Sequence, residues 1–483
     1  NATINYSSGP DTISVADANF SIGPVMSDGQ SLRVGAISFD ALVSGLSEIP
    51  TELSFKTGGI EADNVTKTAT IEPLNLSVLG INMRADVEPV DYSGSVQPTA
   101  ALRIDTFSPR SVMTQLGLEP LATADPSALS QVSVEATATV GENDITLSGI
   151  NVVLDDTTFT GSMSLPTAAT GRIRVNVSGD AIDLNRYMAP ADEEELVESD
   201  VAPVEIPVDA IRMLNARGDL KIDSVTISSL ELENVTATLE AGGGKIRMHP
   251  MSADLYGGSY SGDVRVDASG STAALSLDET VQGVDLARLA EAMFDQQNIT
   301  GSIAGNFKLG GRGNDMNAIR QSLSGSMSFE LQDGTYEGAD IWYELRRARA
   351  MLRREQPPEP VLPARTAFTA VSATGTVTNG VMRNEDFSAE LPFMQVTGAG
   401  EVDLGGGSVD YRLRARVLSK PELMGDATPE EIEDFTRTVI PLRISGPLTS
   451  PSVAPDVEDL LRSQVEEKVK EELEDKLKDL FKR

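Results

Sequence analysis

The sequence predicts a mainly β protein: elongated, curved antiparallel sheet with a few short helices and an amphipathic helix at the C-terminus. Three observations carry this. Apolar and polar residues alternate in long runs, as in Val132, Val134, Ala136, Ala138 and Val140 against Ser133, Glu135, Thr137 and Thr139. A period of two sets one face against apolar material and the other in water. Ser, Thr and Val are abundant, and glycines punctuate the runs at Gly242-Gly243-Gly244, Asp333-Gly334, Asn379-Gly380 and Gly405-Gly406-Gly407, which read as hairpin turns. A strand–Gly–strand unit recurs around Gly94, Gly161, Gly262 and Gly398 at irregular spacing, the mark of hairpins repeated with insertions.

Taken in order, residues 1–188 form an N-terminal β region that begins alternating at Asn1. Within it, a polar cap at Ser108 and another at Asp183 each introduce a short helical segment, Phe107 to Leu116 and Asp183 to Met188. Ile173, Val175 and Val177 alternate with Arg172, Arg174 and Asn176. Residues 189–208, with Asp192-Glu193-Glu194-Glu195 and several prolines, are a solvated linker. A second β domain follows over 209–455. Val264 and Val266 alternate with Asp263 and Arg265, Asp285 caps a helix to Phe294, and Val409, Tyr411, Leu413, Ala415 and Val417 alternate with Asp410 and three arginines. Residues 456–483 carry Leu461, Val465, Val469, Leu473, Leu477 and Phe481 at i+4 among Lys and Glu, an amphipathic helix.

Composition narrows the function. Thirty-nine basic against 73 acidic residues leave a net charge of −34, a field that repels nucleic acid. Apolar residues at 40% are too many for a disordered acidic chain. There is no cysteine, so thiol chemistry and Cys-type metal sites are out. The single histidine, His249, lies in a strand with no nucleophile elbow or second histidine at ligand spacing, and is expected to face solvent. Asp155-Asp156 and the 192–195 run lack the EF-hand spacing. No catalytic residue, metal or cofactor is expected. No run of 18 apolar residues spans a bilayer, and with no initiator Met the chain is expected to be a processed piece.

One island is basic. From Trp342 onward, Arg346, Arg347, Arg349, Arg353 and Arg354 place five arginines in nine residues on an amphipathic helix. It is either a contact for phosphate headgroups at a membrane surface or a helix laid across a sheet with its arginines paired to the protein's own carboxylates.

From 209 onward the chain resembles the AsmA family of bacterial envelope proteins. The residues that carry this are Val284-Asp285-Leu286-Ala287-Arg288-Leu289, Thr300-Gly301-Ser302-Ile303-Ala304-Gly305, Leu323-Ser324-Gly325-Ser326-Met327 and the Asp333 to Ile341 turn into the arginine helix. Val396 to Leu404, Ile440 to Pro447 and Pro451 to Asp456 continue the order, and Val177 to Met188 is the best-matching segment of the first part. The resemblance implies periplasmic placement, an inner-membrane anchor before Asn1, and non-catalytic transfer of phospholipid between inner and outer membranes along a repeating β-groove.

A one-sided sheet needs its apolar face covered. Either sheet closes on sheet, or a curved sheet leaves its apolar face to lipid acyl chains. The second solution nominates Val132, Val134, Ile173, Val175, Val264, Val266, Leu391, Phe393, Val402, Leu404, Leu413 and Val417 as lining. The expected partners are acyl chains, the inner membrane through the anchor, and an envelope protein at the C-terminal helix. The alternatives are an assembly factor for outer-membrane proteins that uses exposed strand edges, or a surface β-repeat adhesin.

Overall fold

Extended backbone dominates wherever the sequence alternates. A computed structural model describes residues 2–8, 11–44, 50–94, 96–168, 170–188, 190, 206, 208–360, 362–419, 428–437, 439–448, 450–456 and 459. The linker expected over 189–208 and the helix expected over 456–483 fall outside these residues, apart from Pro190, Ile206, Val208, Asp456 and Asp459. The chain divides into two compact units, Asn1–Ser199 with Met213–Gly243, and Asp200–Arg212 with Gly244–Arg483.

The first unit holds β1 (Ala2–Ser8), β2 (Asp11–Ile22), β3 (Val25–Ser27), β4 (Ser31–Val34), β5 (Ile37–Ser44), β6 (Thr51–Thr57), β7 (Ile60–Asp63), β8 (Thr68–Ile71), β9 (Leu74–Val78), β10 (Ile81–Val87), β11 (Val90–Asp91) and β12 (Thr99–Phe107). Helix α1 (Pro109–Gln115), β13 (Val132–Val140), β14 (Asp144–Leu154), β15 (Thr157–Pro166), β16 (Ile173–Asp183), β17 (Ala216–Ile227) and β18 (Leu230–Gly242) complete it. β1, β2, β5, β6, β9, β10 and β12 to β18 pair in that order, while β3, β4, β7, β8 and β11 make a small separate sheet. All pairs are antiparallel except β16 with β17, which run parallel from Ile173↔Ala216 to Asp183↔Thr226. A parallel pair needs a long connection, and β16 and β17 are separated in sequence by residues 184–215. Alternation alone predicted antiparallel strands throughout, because the pattern of a strand carries no direction.

The second unit runs α2 (Val208–Met213, whose last residue falls in the first unit), β19 (Lys245–Leu255), β20 (Gly258–Asp267), β21 (Ala274–Asp285), α3 (Leu286–Phe294), β22 (Ser302–Arg312), α4 (Met316–Ser322), β23 (Ser324–Glu337) and α5 (Ile341–Arg353). It continues with β24 (Arg365–Thr378), β25 (Val381–Leu391), β26 (Met394–Asp403), β27 (Ser408–Val417), α6 (Pro429–Arg437), β28 (Ile440–Pro447) and β29 (Ser452–Pro455). β19 to β29 pair in sequence order, all antiparallel. Two helices start at expected caps, Ser108 and Asp285, and α5 starts at a third, Asp340. Ser108 accepts from Ser111 N at 3.3 Å, Asp285 from Arg288 N at 2.9 Å and Asp340 from Tyr343 N at 3.0 Å. The segment from Asp183 is a single 3-10 turn, Leu184–Tyr187.

Two of the expected turns close hairpins within this unit. Asn379 (φ 51°) and Gly380 (φ 80°) join β24 to β25, and the 405–407 glycines join β26 to β27. Asp333-Gly334 does not turn; it lies inside β23. A Cβ on Gly334 would sit 2.1 Å from the Thr300 carbonyl oxygen and 2.2 Å from the Phe368 ring, so the glycine serves a close approach.

Among the described residues the large hydrophobic core cluster lies in the second unit. Leu391, Met394, Val396, Tyr411, Leu413, Ala415, Val417 and Leu442 project from one face of β25 to β28, and Trp342 and Leu345 of α5 and Phe435 of α6 close over them. The Trp342 ring meets Phe435 at 5.1 Å and Phe393 at 5.7 Å. The fold class is the predicted one: mainly β, open antiparallel sheet, few short helices.

Candidate functional site

Register brings the predicted lining residues of the first unit onto one face. Val134 faces Ile104 on β12 and Val152 on β14. Val152 faces Phe159 on β15, Met163 faces Val175 on β16, and Val132 faces Leu154. Ile173 and Val175 then abut Ala216 and Gly218 of β17. A register shift between Leu147 and Ile150 keeps both residues on that face despite odd spacing. Val132, Val134, Val152, Phe159, Met163, Ile173 and Val175 are all partly exposed. Among the described residues α1 buries none of its side chains, and the 3-10 turn sits at the end of β16. Among the described residues this face is apolar and continuous in register from β12 to β16; Ala136 and Ala138 on it are buried, while its larger side chains stay partly exposed.

One end of this face is clamped. Asp155, in the β14–β15 turn, accepts from the backbone N–H groups of Leu129, Ser130 and Gln131 at 2.8–3.1 Å and from the Tyr187 hydroxyl at 3.0 Å. Burial pulls its carboxyl up, but those donors hold it below the usual range. Arg186 donates to Asp125 at 2.7 Å and also pairs with Asp156. Hydrogen bonds from Ser127, then Arg186, bring the Asp125 carboxyl down to about 2. The acidic pair at 155–156 thus ties a loop to a turn, and no group of three or more metal-ligating side chains occurs among the described residues.

In the second unit the predicted lining residues separate into two groups. Val264 faces Met248 and Leu277, and Val266 faces Ile246 and Leu275; Val264 and Val266 are partly exposed on β20. Leu391, Leu413 and Val417 are 6%, 3% and 2% exposed beneath α5 and α6, and Phe393 and Val402 pack against the same cluster. Leu391, Leu413 and Val417 belong to closed core, and Phe393 and Val402 lie partly exposed at its edge. Alternation marked their apolar side, but it says nothing of the helices, α5 and α6, that cover it. Leu404 sits in the β26–β27 turn and is exposed.

The face of β20 to β22 carries a polar pair that sequence reading missed. Glu279 stands in register with Gly262 and Phe307, on the same side as Leu275, Leu277 and Val281. The Tyr260 hydroxyl donates to Glu279 Oε2. A Cβ on Gly262 would lie 2.0 Å from that oxygen, so the glycine lets the carboxyl lie flat on the sheet. Burial pushes the Glu279 carboxyl above the usual range, and it pushes the Tyr260 phenol up as well. The sequence signal was one acid in an apolar alternation, Leu275, Leu277, Glu279, Val281.

The arginine helix lies on the sheet. Arg349 pairs with Asp434 of α6 at 2.9 Å and Glu355 at 3.1 Å. Arg353 reaches Asp434 at 2.6 Å and Glu430 at 3.2 Å, and Arg347 reaches Glu344 at 2.9 Å. Arg346 is buried and Arg354 exposed. Arg347, Arg349 and Arg353 are thus paired with the protein's own carboxylates. His249 is half-exposed on β19, its Nδ1 3.7 Å from Asp263, whose carboxyl is held low by Arg247 and Arg265.

No helix among the described residues is long and apolar enough to cross a membrane. A family model, that of the AsmA family, matches residues 65–387. The chain is also similar to Protein AsmA of Escherichia coli (strain K12), 22% identical over 246 residues. That alignment covers 50% of this chain and 39% of the relative, so the chain spans well under half of the curated relative it matches.

Proposed function

This chain belongs to the AsmA family, a family of non-enzymatic envelope proteins, and from that premise we propose that it binds phospholipids by their acyl chains and passes them between inner and outer membranes. The supporting observation is the first unit's apolar face, continuous in register from Ile104 through Val134, Val152 and Phe159 and from Met163 to Val175, and partly exposed. Each CH₂ withdrawn from water contributes about 0.8 kcal/mol, so affinity grows with chain length without a specific polar site. A ladder of similar strands offers neighbouring positions of similar affinity, which favours movement over trapping. A separate partly exposed apolar face around Val264 and Val266 in the second unit offers the same chemistry.

The test is transfer of fluorescent phospholipid from donor to acceptor vesicles. The chain is expected to accelerate transfer, and Val134→Asp with Val175→Asp to abolish the acceleration. Transfer no faster than in its absence overturns the reading.

A further inference from the structure

Glu279 is the misfit on an otherwise apolar face. Its neighbours on β21 are Leu277 and Val281, and across the strands stand Gly262 and Phe307. One carboxylate oxygen, Oε2, accepts from the Tyr260 hydroxyl. The other, Oε1, is buried and has no hydrogen-bond partner among the described residues. A buried acceptor left unmade is costly, more so when charged. Asp263 and Asp278, the nearby acids, add repulsion rather than relief. Such a group stands out in a chain whose strand carboxylates are commonly paired across the sheet, as Glu401 is with Arg383 and Asp410 with Arg443.

On the premise that this face holds acyl chains, we infer that Glu279, oriented by Tyr260 over Gly262, is a hydrogen-bond acceptor for a long-chain amphiphile whose polar end carries a donor, a hydroxyl or an ammonium. The apolar tail lies along Val264, Leu277 and Phe307, and the donor meets the free oxygen. Glu279 as a residue is only partly buried, and its terminal torsion is soft, so the carboxylate turns toward a ligand without moving the backbone. Tyr260 keeps one oxygen occupied and leaves the other to the ligand.

The chain has no cysteine, so Val266→Cys carrying a polarity-sensitive fluorophore reports this site alone. Hexadecanol, hexadecylamine and the methyl ether of hexadecanol are titrated against it at physiological salt. Either donor is expected to bind about tenfold more tightly than the ether, which lacks one. Preference for only the alcohol or only the amine identifies which donor the site takes. In Glu279→Leu, with the melting transition retained, the preference should shrink to within about twofold. Equal binding of all three to the labelled chain overturns the inference and leaves the acyl-chain reading standing. No binding of any probe overturns the inference together with its premise that this face holds acyl chains, and leaves the first unit's face to the transfer test. A preference that persists in Glu279→Leu removes the assignment to Glu279. The comparison of probes on the labelled chain that keeps Glu279 decides whether the face takes a donor even if the variant does not fold.

Discussion

β16 and β27 look alike in sequence and differ in fate. Ile173, Val175 and Val177 alternate with Arg172, Arg174 and Asn176; Tyr411, Leu413, Ala415 and Val417 alternate with Arg412, Arg414 and Arg416. The apolar side chains of β16 are partly exposed, whereas those of β27 are 0–6% exposed. The strands are not the cause. Over β27 lie α5 and α6, joined by Arg349 and Arg353 to Asp434 and anchored by Trp342 and Phe435. Over β16 no described helix lies. Alternation says that a face is apolar; only the neighbours say whether it is core or binding surface.

The largest effect that sharpens this comparison is Leu413→Asp. A carboxylate in the closed core should cost at least about 4 kcal/mol and unfold the second unit. Trp342 is the only tryptophan and is 2% exposed, so its emission should shift to the red. Next is Arg349→Ala, which strips Asp434 of one of its two arginines. A loss of about 1 kcal/mol is expected in denaturant unfolding, and binding to anionic vesicles should not change, because these arginines serve the core. Weakened vesicle binding would return the helix to a headgroup role.

Val266→Asp makes the opposite case. On a partly exposed face the same substitution should cost no more than about 1 kcal/mol, with emission of Trp342 unchanged and lipid occupancy reduced. If Val266→Asp unfolds the unit as Leu413→Asp does, the two regions are equally closed. The smallest effect is the acid response of the first unit. The Asp125 carboxyl, brought to about 2 by Ser127 and Arg186, contributes stability above its unfolded value of about 3.9 that is lost as pH falls toward 2. Asp125→Asn should flatten the melting temperature between pH 4 and 2.

Much of the fold was legible because each signal was local. Ser108 and Asp285 gave helix starts, and Asn379-Gly380 gave a hairpin. What was not legible depended on residues distant in sequence. The parallel pairing of β16 with β17 joins strands separated by residues 184–215, and Gly334 answers to Phe368 and Thr300. The assignment of Leu391, Leu413 and Val417 depended on helices whose amphipathic faces did not say what they would cover. For the candidate site, Val132, Val134, Ile173, Val175, Val264 and Val266 remain on partly exposed apolar faces, while Glu279, a single acid in an apolar alternation, carried no local signal that marked it out.

The most direct test of an open apolar face is the lipid the protein carries. The chain is purified without detergent at any step, and its organic extract is quantified by mass spectrometry against a mock purification. The account predicts phospholipid at one or more molecules per chain, falling sharply in Val134→Asp with Val266→Asp. A chain that is lipid-free while Trp342 emission and a cooperative melt show it folded would contradict it.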